Sequence, residues 1–105
     1  MEVKDWNIEA MTGYKPQTTF YTDFSIADHF GISAIKDTYK RAFEHWKHNH
    51  IYLTELAMVM SWKSFEHEHN PAYCKLYSDL YYKTDEYACE NLKGDDLSYY
   101  YKTTD

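Results

Sequence analysis

The sequence predicts a mainly α protein, a compact three- to four-helix bundle with an extended N-terminal lead-in over residues 1–22 and a short C-terminal helix. Three observations carry that prediction. Apolar residues recur at helical spacing from Phe24 onward. The three glycines, Gly13, Gly31 and Gly94, fall between those stretches rather than inside them. A chain of 105 residues has enough surface to bury for one core and no more.

Gly13 and Pro16, followed by Thr18, Thr19, Phe20 and Tyr21, read as an extended lead-in; residues 23–105 then read as a single helical domain. Phe24, Ala27 and Phe30 space a short first helix that Gly31 stops. Ser33 is a fitting N-cap for a second helix, in which Ile35, Tyr39, Ala42, Phe43 and Trp46 form one buried stripe. After the polar string Lys47 to His50, a third helix opens at Ile51 and runs to about His69; it is apolar on most sides around Leu56 to Met60 and so predicts the centre of the molecule. Asn70 before Pro71 is a cap followed by a proline suited to a first turn, and the fourth helix continues through Tyr73, Leu76, Tyr77, Leu80, Tyr87 and Ala88 until Gly94. Asp95 and Asp96, with Leu97, Tyr100 and Tyr101 behind them, predict the short fifth helix.

Composition narrows the function classes. Residues 1–52 hold seven acids and six bases, and residues 53–105 hold ten acids and five bases, so nearly all of the net charge of −6 is C-terminal. Binding to a phosphate backbone uses clustered Lys and Arg, and only Lys36, Lys40 and Arg41 cluster here. Direct nucleic-acid binding is therefore not expected, and a protein with a basic surface is the better partner. The longest apolar run, Leu56 to Met60, is far shorter than the ~20 residues that span a bilayer, and Met1 to Ala10 lack a basic and apolar leader, so a cytoplasmic location away from membranes is expected. Met11 is a second candidate start. Cys74 and Cys89 lie on one predicted helix about 22 Å apart at 1.5 Å per residue, too far to pair within it, and read as reduced thiols among apolar neighbours.

Neither a phosphate-binding glycine loop nor a nucleophile with an evident base stands out, so an enzyme is not expected and no cofactor is predicted. The alternative is a helical metal-binding protein or metal-dependent enzyme using Glu44, His45, His48, Glu66 and His69, because Glu44 with His48, His45 with His48 and Glu66 with His69 have the i, i+3 or i+4 spacing of paired ligands. The more distinctive feature is twelve tyrosines. Tyr81 and Tyr82 point about 100° apart on a helix and Tyr99, Tyr100 and Tyr101 cover most of a turn, so one buried face does not absorb them all. Tyrosine beside charge is a common interface composition. The predicted partner-binding residues are Tyr81, Tyr82, Glu86, Glu90, Asp95, Asp96, Tyr99 and Tyr100. A homodimer that buries the surplus tyrosines is the remaining alternative.

The strings Lys15 to Phe20, Phe24 to Asp28, Ala88 to Gly94 and Leu97 to Asp105 resemble small acidic proteins carried by phages and conjugative elements of gut bacteria. Some proteins of that setting are anti-CRISPR inhibitors, which this chain is similar to in size, charge and helical content. The resemblance implies an accessory protein that binds and inhibits a larger basic nucleic-acid-processing complex, most plausibly a type II Cas effector. It brings no catalytic motif.

Overall fold

The first described helix opens at Pro16. The computed structural model describes residues 16–104, with side chains from Phe20 onward, and among them are five helices and no strand. These are α1 (Pro16–Phe30), α2 (Ile32–Trp46), α3 (His50–Glu66), α4 (Pro71–Asn91) and α5 (Asp95–Thr104). The first corrects the sequence reading, since residues 16–22 of the expected extended lead-in are helical and the expected boundary at 22/23 falls inside α1. Phe20, Phe24 and Ala27, at i, i+4 and i+7, are all buried, and that shared face outweighs the strand preference of Thr18, Thr19 and Tyr21. The rest of the lead-in, and the candidate start Met11, lie outside the described residues.

Gly31 separates α1 from α2 with φ 105° and ψ −176°, a conformation essentially confined to glycine. It also occupies the cap position expected of Ser33, which falls within the first turn of α2 instead. The cap expected at Asn70 is present, and Asn49, read in the sequence only as part of a polar break, is a cap as well. Asn49 accepts from the backbone N–H groups of Ile51 and Tyr52 at 3.1 and 3.2 Å, and Asn70 accepts from that of Tyr73 at 3.4 Å ahead of Pro71. Gly94, with φ 60°, turns the chain into α5.

Helix α3 touches all four others. Its Leu53, Leu56, Ala57, Val59 and Met60 are fully enclosed, as a helix apolar on most sides requires. Two apolar clusters result. The larger joins Phe20, Phe24 and Ala27 of α1 to Ile35, Tyr39 and Ala42 of α2, to Leu56, Val59 and Met60 of α3, and to Tyr77 and Leu80 of α4. The smaller joins Leu53 and Ala57 to Ala88 and Tyr100, which is how α5 is held. Phe43 and Tyr81 border both clusters. The Cα radius of gyration, 13.0 Å, is that of a compact chain of this size. No helix among the described residues is long and apolar enough to cross a membrane.

Candidate functional site

The densest polar cluster surrounds Lys63. This lysine stands on α3 one turn beyond Val59 and Met60, on the face that meets α1, and its side chain is 1% exposed. Its ammonium lies 2.6 Å from Asp28 Oδ2 of α1, donates to Glu66 one turn on, and donates to Ser25 Oγ at 3.3 Å. The rings of Tyr21 and Tyr77 flank it, with centroids at 4.9 and 5.9 Å. Each anion has further donors. Tyr77 Oη and His67 Nε2 donate to Asp28, the latter at 2.9 Å, and Tyr21 Oη donates to Glu66. His67 in turn stacks on Tyr77 at 5.6 Å. Burial alone would raise the Asp28 carboxyl, but the bonds from Lys63, Tyr77 and His67 outweigh it and hold it below the usual carboxylate range. Burial would likewise lower Lys63, and its bonds to Asp28 and Glu66 overcome that and raise it. Glu66 is lowered because its bonds to Lys63 and Tyr21 exceed its desolvation, whereas Tyr77 is raised by burial and by the Asp28 carboxylate it serves.

Asp28, Glu66 and His67 offer three ligand atoms within 4.8 Å of one another, close enough for a metal ion. The Lys63 ammonium already stands among the two carboxylates, so the cluster carries its own enclosed cation, whose raised pKa keeps it protonated at neutral pH. A group locked in one charge state is poorly suited to proton transfer. The arrangement fits a structural link between α1, α3 and α4.

The expected metal set does not converge. Glu44 pairs with Lys47 at 3.2 Å, the His45 ring packs edge-on against Trp46, and His48 is exposed beyond the end of α2. Glu66 lies at the far end of α3, roughly 24 Å from its start at 1.5 Å per residue, and His69 is exposed beside Glu68. Spacing along single helices brought each pair to one face, but the helix pairing puts the pairs at opposite ends of α3. The two thiols are free, with Cys74 3.6 Å from Ser64 Oγ and Cys89 3.4 Å from Tyr101 Oη.

The predicted partner-binding residues divide into two places. Tyr82, Glu86 and Glu90 share the outer face of α4 and line a groove of about 510 Å³ with Asp79, Lys83, Tyr87 and Asn91 of the same helix and Phe43 of α2. Asp95, Asp96 and Tyr99 belong to the first turns of α5 and lie beside the start of α3. There Asp96 is 3.5 Å from His50 Nδ1 and the Tyr99 ring packs edge-on against His50. Tyr81 is half-buried between α4 and both clusters. Tyr100, expected at the surface, is fully enclosed: its ring fills the seam between α3 and α4, and its hydroxyl donates to Asp85 at 2.8 Å. Burial and the Asp85 carboxylate together push that phenol up. Among three adjacent tyrosines the helix can aim only one squarely at the core, and the sequence alone did not single it out.

The Lys63 cluster went unread in the sequence, although one signal was there. Lys63 lies at i+7 on the stripe of Leu56 and Met60, and Asp28 lies at i+8 on that of Phe20 and Phe24. A charge of each sign on a buried stripe is the pattern of an enclosed ion pair. No protein-family model, curated protein or solved structure matches this chain.

Proposed function

We propose that this chain is an accessory protein that binds a larger, basic, nucleic-acid-processing protein complex and inhibits it, most plausibly a type II CRISPR effector, using the acidic, tyrosine-bearing surface of α4 and α5. One observation carries the reading. Tyr82 is 66% exposed beside Glu86 and Glu90, and neither of those carboxylates forms an ion pair among the described residues. Exposed carboxylates beside an exposed ring are a surface whose charge a cationic partner can complement. The Lys63 cluster, whose ammonium is already held by Asp28 and Glu66, fits a link between helices, which favours binding over catalysis.

The test is capture of a guide-loaded type II effector by the tagged chain, followed by target cleavage at rising salt. Stoichiometric, salt-sensitive capture with loss of cleavage supports inhibition; absence of capture across orthologous effectors, with and without guide, rejects it. Self-association is the second reading, favoured by Trp62 and Phe65 of α3, which are 43% and 73% exposed. A mass that stays monomeric as concentration rises removes it.

A further inference from the structure

We infer that the groove between α2 and α4 is a receptor for an arginine side chain of the partner protein. This rests on the binding role proposed above and narrows it to a place and a chemistry. The walls are of two kinds. Phe43 and Tyr87 meet with centroids 5.0 Å apart and planes at 81°, forming a right-angled aromatic corner, and the exposed Tyr82 adds a third ring. Glu86 and Glu90 stand one helical turn apart, so their carboxylates project side by side about 5–6 Å apart at Cβ, a separation that a forked, planar guanidinium can bridge.

Two resident lysines stand beside the aromatic rings of α2. Lys47 Nζ lies 5.9 Å from the Phe43 centroid and Lys83 Nζ 5.7 Å from that of Tyr39, whose ring stacks on Phe43. Lys83 thus leans toward an aromatic face of α2 and forms no ion pair with Glu86 among the described residues. No described cation lies over Tyr82 or Tyr87. Asp79 lines the groove as well but is shared with Lys75 at 3.0 Å, which leaves Glu86 and Glu90 as the anions without a described partner. Arginine fits better than lysine because its flat, weakly hydrated head can stack on a ring while donating to both carboxylates. The corner is also rigid before any ligand arrives, since Phe43 packs against both core clusters.

The experiment is a titration of the isotope-labelled full chain with the peptide Gly-Arg-Gly-Arg-Gly, followed by NMR, beside the same peptide carrying citrulline, which keeps the shape and removes the charge. The expected result is shifts confined to Phe43, Tyr82, Glu86, Tyr87 and Glu90 with the arginine peptide alone. Glu86→Gln with Glu90→Gln should then weaken binding about tenfold, the equivalent of one strong charge-assisted contact. Equal shifts with citrulline, or arginine-dependent shifts centred on Asp95 and Asp96, overturn the groove. Charge reversal separates this inference from its parent. Loss of effector capture by Asp95→Lys/Asp96→Lys but not by Glu86→Lys/Glu90→Lys retains the inhibitor and rejects the groove. Groove shifts from a chain that captures no effector retain the groove and reject the inhibitor.

Discussion

At the scale of single residues, the polar groups inside the molecule fall into two opposite classes. Lys63 is enclosed but fully served, so Lys63→Met removes the ammonium shared by Asp28 and Glu66 and leaves Asp28 only Tyr77 and His67; a loss of about 3 kcal/mol in urea unfolding is expected. Glu55 is enclosed and poorly served: it is 7% exposed, and its Oε2 has no hydrogen-bond partner. Burial accordingly pushes its carboxyl up. The two classes titrate with opposite sign. Asp28 and Glu66, held low, stabilise the fold above the ordinary carboxylate range, and that stability is lost as pH falls through their folded values. Glu55, held high, favours the fold below the ordinary glutamate value near ~4.3, and that contribution is lost as pH rises through its folded value. Glu55→Gln should therefore raise the melting temperature at pH 7 and confer progressively less benefit in melts taken down to pH 4. A benefit unchanged with pH would contradict the assignment.

At the scale of elements, the connections are as informative as the helices. A Cβ at Gly31 would meet no atom within 4 Å, so Gly31→Ala isolates the backbone cost of φ 105° from any clash, and a destabilisation of about 1–3 kcal/mol is expected by chemical denaturation. A loss well below that range would mean the α1–α2 link relaxes to another conformation. The helix most legible in the sequence is the one with strong punctuation, α4, opened by Asn70 and Pro71 and followed by Gly94, whereas α3, with no such stop, ends at Glu66 and not at about His69. The beginning of α1 was not legible because Thr18 and Thr19 carry a local preference that the buried partners of Phe20 and Phe24, distant in sequence, override. The same limit applied to the site. The outward residues of α4 follow from helical spacing alone, whereas the burial of Tyr100 and the separation of Asp95 and Asp96 from Glu86 and Glu90 depend on how α5 folds back, which no spacing rule encodes.

At the scale of the whole molecule, an excess of negative charge gathers toward one end of the chain, and any binding that uses it should weaken with salt. Glu86→Lys with Glu90→Lys shifts net charge by four units, so both the affinity for a basic partner and its dependence on ionic strength should fall, as measured by capture at 0.05 and 0.3 M salt; an unchanged salt slope would place the contact elsewhere. Thermal stability should stay within about 0.5 kcal/mol, because both side chains are exposed. Phe43 bears on how such a molecule can change over time. Its side chain both lines the groove and packs against the two core clusters. Substitutions at Glu86, Glu90 or Tyr82 are free to drift as a partner drifts, but the floor beneath them is not, since altering Phe43 would spend stability to adjust recognition. Lineages that follow a changing target should thus vary in the rim and keep the floor.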